Sequence, residues 1–243
     1  MTRRLNFKNI LHTFFLFFCI LLLFAMSLKN RNGSLSGYDL VICCTTYANL
    51  TIYLLIPFIF MNRMKNEVNP NSLIRYKNVD YVWISGCKSS FCWAIEITAS
   101  LMICFVLCGW LIADSVCDWN RKQSIFFRAT QYSMSAFPTV KEILIPAFVI
   151  LFFNILLIEL LTFAGFWYVN SFWVGYTVVI IVYLLPELTK MQIEISRLGL
   201  YYMDYCLGMR VIDICLKRVM VLICLSVVMV VLGLIRRKKD FLS

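Results

Sequence analysis

One carboxylate stands where lipid is expected. Glu159 lies in the middle of the run ILFFNILLIELLTFAG, with Asn154 five residues before it. An acid at the centre of a bilayer costs about 2.5–3.5 kcal/mol on insertion scales, so it faces protein or water. Such positions serve as proton relays or as hydrogen-bonding glue between helices. Glue is the simpler reading of Glu159 and Asn154, because it needs no transport step. Glu96 lies within two turns of the end of its own apolar run and reads as structural.

Chemistry elsewhere is narrowly bounded. His12 is the only histidine. A zinc hydrolase needs an HExxH or paired histidines, and a serine hydrolase needs a histidine base, so neither site can be assembled. The sequence holds no Gly-x-Ser-x-Gly elbow and no Walker-type phosphate loop, so this chain does not hydrolyse ATP itself. No catalytic residue, metal or cofactor is expected. Of the 11 cysteines, Cys19, Cys43, Cys44, Cys92, Cys104, Cys108 and Cys224 fall inside apolar runs, where a thiol behaves as a small hydrophobe. Cys104 and Cys108 share a helix face, but two thiols do not make a metal site. A disulfide from Cys117 to Cys206 or Cys215 would need those segments on an oxidising side, and the spacing leaves it open.

Recognition rather than catalysis has a second candidate in the segment NPNSLIRYKNVDYVWIS. Asn69-Pro70 supplies an N-cap and a proline at the first helical position. Leu73, Tyr76, Val79 and Trp83 recur at spacings of three, three and four, with Arg75, Lys77 and Asn78 off the stripe. The spacing predicts a short amphipathic helix at the membrane surface, just before a span. Its aromatics either dock a soluble partner or sit among lipid headgroups. Tyr81, Val82 and Ile84 blur the stripe, and the pattern alone does not choose.

The elements that must position these residues are apolar helices. Of 243 residues 61% are hydrophobic and 15% charged, against about 25% charged in a soluble domain. That composition excludes a soluble enzyme, a disordered chain and a fibrous protein. The formal charge of +10 reflects basic residues at the ends of apolar runs, where they meet lipid phosphates; nucleic acid is not an expected partner. A crossing helix needs about 20 apolar residues. The runs are 10–28, 40–61, 91–113, 143–185 and 219–235. At about 1.5 Å per residue the fourth is roughly 64 Å of helix, twice a hydrocarbon core, so it must double back. Ala164-Gly165 and Val169-Asn170-Ser171 supply the breakers, which splits it into 143–163 and 166–185. The first run is too long for a signal-peptide core and lacks a cleavage site before Lys29, so it reads as a retained span.

The expectation is an all-α polytopic protein with a single transmembrane domain over 1–243 and six spans. Both ends are basic, Arg3, Arg4 and Lys8 at one and Arg236, Arg237, Lys238 and Lys239 at the other, and two cytoplasmic ends require an even number of crossings. Two outer segments exceed plain turns. One is Asp114–Glu142. The other, Pro186–Arg218, interleaves Glu187, Glu194, Arg197, Asp204 and Arg210 with apolar and tyrosine residues and reads as an interfacial or re-entrant helix pair, with breaks at Gly199 and Gly208.

This order resembles the six-span permease subunits of bacterial ABC transporters of the peptide and lantibiotic export or immunity type. It comprises a basic amphipathic lead-in (TRRLNFKNILHTF), two spans, an inner loop with a helix, a third span, a tight fourth–fifth hairpin, a polar-apolar outer stretch, and a last span with a basic tail. The likeness is architectural and covers the whole chain; the segment Asp114–Glu142 is longer than the family pattern. The resemblance implies a plasma-membrane subunit without enzymatic activity, paired with a second permease subunit and driven by a separate cytoplasmic ATP-binding subunit. It implies that Leu73, Arg75, Tyr76, Val79 and Trp83 couple to that ATPase and that Glu187, Glu194, Arg197, Asp204 and Arg210 lie in an outer gate. A proton-coupled carrier centred on Glu159 and a non-transporting immunity or scaffold protein are the alternatives.

Overall fold

The structure, a computed structural model, describes residues 7–46, 49–67, 79–114, 125, 139–169, 171–183 and 211–235. The elements among them are helical: α1 (Phe7–Asn32), α2 (Gly37–Thr46), α3 (Asn49–Glu67), α4 (Val79–Ile112), α5 (Val140–Val169), α6 (Phe172–Tyr183) and α7 (Val211–Ile235). Four stretches are long and apolar enough to cross a membrane: Leu11–Asn32, Tyr81–Ile112, Val140–Val169 and Asp213–Ile235. A helix satisfies its backbone polar groups internally, which is what a bilayer core demands. The elements among the described residues are all helices, and four of them mark a membrane protein.

Two apolar pieces are shorter, Ile52–Met61 in α3 and Phe172–Tyr183, which is α6. The 40–61 run falls on α2 and α3, with residues 47–48 outside the described set.

Two sequence boundaries are corrected. Splitting the 143–185 run at Ala164-Gly165 is wrong: α5 continues to Val169 and the reversal lies between there and Phe172. Gly165 serves approach rather than breakage. A Cβ on it would come within 2.1 Å of the Gly175 nitrogen, and a Cβ on Gly175 within 2.5 Å of the Thr162 carbonyl oxygen. The two glycines let the backbones of α5 and α6 touch, the small-residue packing that membrane helices use. The third span also starts earlier than Phe91. α4 is a continuous helix of 34 residues from Val79, about 51 Å long, so Val79 and Trp83 belong to the spanning helix rather than to a separate surface helix.

The chain forms two compact units. Unit 1 takes Met1–Asn49, Ile97–Leu151 and Gly199–Leu216. In α1 the buried residues Phe17, Leu21 and Ala25 recur every four positions, while Leu11, Phe15, Leu16, Leu23 and Met26 stay exposed, as on a helix with one face on protein and the rest on lipid. α4 answers with buried Leu101, Cys104, Phe105 and Cys108. The two helices run parallel: the Cys104 thiol lies 3.8 Å from the Phe14 carbonyl, and Lys29 Nζ donates to the Ile112 carbonyl at 2.8 Å.

The end of α1 is closed by chemistry the sequence carries locally. Gly33 sits at φ 76°, and its amide donates back to the Lys29 carbonyl at 2.8 Å, the C-terminal stop that glycine permits. Lys29 pairs with Asp114 at 2.6 Å, and the other Asp114 carboxylate oxygen accepts the Leu35 amide at 3.2 Å. Ser36 and Asp39 then form a reciprocal capping box that starts α2, and Thr139 with Glu142 does the same for α5.

Unit 2 takes Leu50–Glu96, Phe152–Leu198 and Lys217–Ser243. Its helices alternate in direction. Tyr53 meets Tyr183 and Phe58 meets Tyr176, so α3 and α6 are antiparallel. Trp83 meets Phe163 and Phe91 meets Phe152, so α4 and α5 are antiparallel. Leu157 packs in one cluster with Leu222, and Trp167 bonds Gly233, so α5 and α7 are parallel. Gly165→Ala is expected to destabilise the protein by about 1–3 kcal/mol, because the obstructing atoms are backbone. Gly109→Ala, whose Cβ would meet only the Gly37 Cα at 3.7 Å, should be neutral or mildly stabilising. Thermal unfolding of the two variants in one detergent checks the contrast.

Candidate functional site

The spacing leaves Trp83 either on a docking stripe or among lipid headgroups; in the structure it is on neither surface, being 0% exposed. The physical reason is that an indole in a bilayer needs both apolar surface and an acceptor, and here it finds both on neighbouring helices. Its ring stacks on Phe163 with centroids 4.8 Å apart and planes 9° apart. Its edge occupies the space above Gly233, where a Cβ would come within 2.0 Å of Cε2. Nε1 donates to the Val230 carbonyl at 3.0 Å. Phe163 in turn fills the space over Gly86, within 2.2 Å of where a Cβ would be.

Two more side chains reach the same turn of α7. Trp167 Nε1 donates to the Gly233 carbonyl at 3.1 Å, and the Tyr168 hydroxyl donates to the Leu232 carbonyl at 2.7 Å. Leu232 and Gly233, in the last described turn of α7, thus accept donors from a neighbouring helix. Phe60, Met61 and Met64 of α3 and Trp93 of α4 complete the cluster. The start of α4 and the ends of α3, α5 and α7 thus converge.

The polar residues of α5 form a second focus. Asn154 accepts a hydrogen bond from the Tyr183 hydroxyl at 3.3 Å, and Tyr183 packs edge-on against Tyr53 at 5.1 Å. All three are buried. Glu159 is 0% exposed on the same helix. Five residues turn it about 140° from Asn154, so the two do not share a face. It stands one turn before Phe163, on the side of α5 that meets Trp83. The Thr162 hydroxyl donates to the Ile158 carbonyl within the helix.

Comparison with known families, characterised proteins and solved structures finds no match to this chain. Among the described residues, no group of three His, Cys, Asp or Glu side chains could hold a metal ion. Cys215 is a buried thiol, 4.0 Å from the Pro146 carbonyl. Leu73, Arg75 and Tyr76 of the expected coupling stripe, and Glu187, Glu194, Arg197, Asp204 and Arg210 of the expected gate, lie outside the described residues, as do Cys117 and Cys206; Val79 opens α4. Sequence spacing misses Tyr53, Tyr183, Trp167 and Tyr168. The available signal was their type, since tyrosine and tryptophan inside or at the end of an apolar run need a hydrogen-bond partner.

Tyr183→Phe removes the donor to Asn154 and keeps the ring on Tyr53. In a double-mutant cycle with Asn154→Leu, the coupling energy should be about 0.6 kcal/mol, the average for hydrogen bonds between membrane helices. Reversible unfolding of the four proteins in one detergent measures it, and zero coupling would leave Asn154 without a role for this bond.

Proposed function

We propose that this chain is the membrane-spanning subunit of an ABC-type exporter for a peptide or other amphipathic substrate. A separate cytoplasmic ATPase drives it, and a second permease subunit, the same or related, completes the pathway. The observation that carries this reading is the convergence of helix ends in unit 2. The segment 68–78 leads into α4 beside the end of α7, and the basic run Arg236–Lys239 follows directly on α7. The alternation of α3 to α7 in unit 2 supports a six-crossing threading with the loop and the tail on the cytosolic side of a plasma membrane.

In this reading the coupling element within Asn71–Ser85 receives the ATPase through Arg75 and Tyr76, and Trp83 acts from inside the bundle. The segment from Glu187 to Arg210 closes the outer side. The chain lacks a phosphate loop of its own, so nucleotide chemistry falls to the partner.

A second reading has one specific observation in its favour. The complete burial of Glu159 suits a proton-coupled carrier, in which a carboxylate faces the bundle interior and is reached from one side at a time.

Replacing Arg75 and Tyr76 together by Ala is expected to abolish co-purification with the ATPase while leaving membrane insertion intact; full retention of the ATPase would refute the coupling role. Single cysteines at 75 and 238, placed in a background with the native cysteines removed, should label from the same face of intact cells, and labelling from opposite faces would end the six-span reading. Glu159→Gln separates the two functions: the exporter keeps ATP-driven transport, whereas a proton-coupled carrier loses its pH-driven transport.

A further inference from the structure

The aromatic cluster at the end of α7 does more than fill space. We propose that Trp83 is a latch that makes the first turns of α4 and the last turn of α7 move as one piece. A displacement imposed on the segment leading into α4 would then be delivered to the basic segment that follows Ile235. This goes beyond the functional reading and is independent of it, because the link is the same whatever engages the segment before α4.

Three features make it a latch rather than a simple contact. The first is interlock. Trp83 and Gly86, three residues apart on α4, grip Phe163 of α5 from two sides, one by stacking on its face and one by leaving room for its edge. α4 therefore cannot slide along α5 without ejecting the phenyl ring. The second is the absence of a Cβ at Gly233. The indole occupies that space, so the backbone of α7 cannot shift toward α4, and the Nε1 bond to Val230 resists shift away from it.

The third is redundancy. The carbonyls of Val230, Leu232 and Gly233 are held by three donors from two helices, Trp83 of α4 and Trp167 and Tyr168 of α5. Leu232 and Gly233 lie in the last described turn of α7, and their carbonyls are held from α5, so a shift of α5 or α4 is passed to that turn.

Hydrogen exchange on the full chain in lipid nanodiscs tests this, read on peptides covering residues 79–83 and 228–235. Trp83→Phe keeps the stack on Phe163 and removes the N–H. It should raise exchange at both ends by about threefold, the ratio given by loss of one hydrogen bond of average strength between membrane helices. Tyr168→Phe is the gentler probe, because Tyr168 is 38% exposed and only its hydroxyl is lost. The hydroxyl bond it removes goes to α7, yet the change should also raise exchange in residues 79–83. Trp110→Phe, at a site 78% exposed on α4, should change neither. If Tyr168→Phe loosens the end of α7 and leaves the start of α4 at the native rate, the two are not linked and the latch is refuted. An unchanged end of α7 in a folded Trp83→Phe protein refutes it equally.

Discussion

Lipid removes the force that normally brings helices together. An apolar face gains little by leaving hydrocarbon for another apolar face, so a membrane bundle is held by close fit and by hydrogen bonds with no water to compete. In this protein the fit depends on positions where a side chain is missing. Gly86 admits the ring of Phe163, Gly233 admits the indole of Trp83, and Gly165 meets Gly175 backbone to backbone. Larger residues at these positions would hold the helices apart, and the aromatic donors would fall short of the α7 carbonyls.

That dependence explains why the aromatic residues are arranged as they are. Tryptophan and tyrosine are the side chains that offer a wide apolar surface together with a single donor. Trp83, Trp167 and Tyr168 each spend the donor on a carbonyl of one helix turn, while the rings of Trp83 and Trp167 build the cluster with Phe60, Met61, Met64 and Phe163. Tyr183 does the same on a smaller scale, bonded to Asn154 and packed on Tyr53. These four side-chain donors thus join one helix to the next. Unit 1 uses a different device at the end of α1, a glycine stop and a Lys29–Asp114 pair, where the charges are about one-third exposed.

The apolar helices were legible from composition and run length, because burial in lipid is written as uninterrupted hydrophobicity. Their ends were not. Ala164-Gly165 read as a breaker since glycine weakens a helix in water, but a neighbouring backbone can use the missing Cβ, and only the partner helix reveals that. The doubling back of the 143–185 run followed from length alone, and the α5–α6 hairpin has it, a few residues later. Glu159 and Asn154 were found by polarity; their burial follows, but the partner of Asn154 is 29 residues away and no spacing rule names it. Trp83 shows the limit most clearly. Its three-and-four spacing with Tyr76 and Val79 is equally the signature of a surface stripe and of an inward face, and the decision rests on acceptors nearly 150 residues later.

The order in which a ribosome makes this chain gives the aromatic cap a further meaning. Trp83, Trp167 and Tyr168 are all synthesised before their acceptors, so their donors enter the membrane with no carbonyl of α7 yet in existence. The first turns of α4 can reach their final state only after Gly233 has been added. Closure of these contacts then waits on the synthesis of α7, and a nascent chain that stalls before α7 carries indole N–H groups in the membrane with none of these carbonyls to meet them.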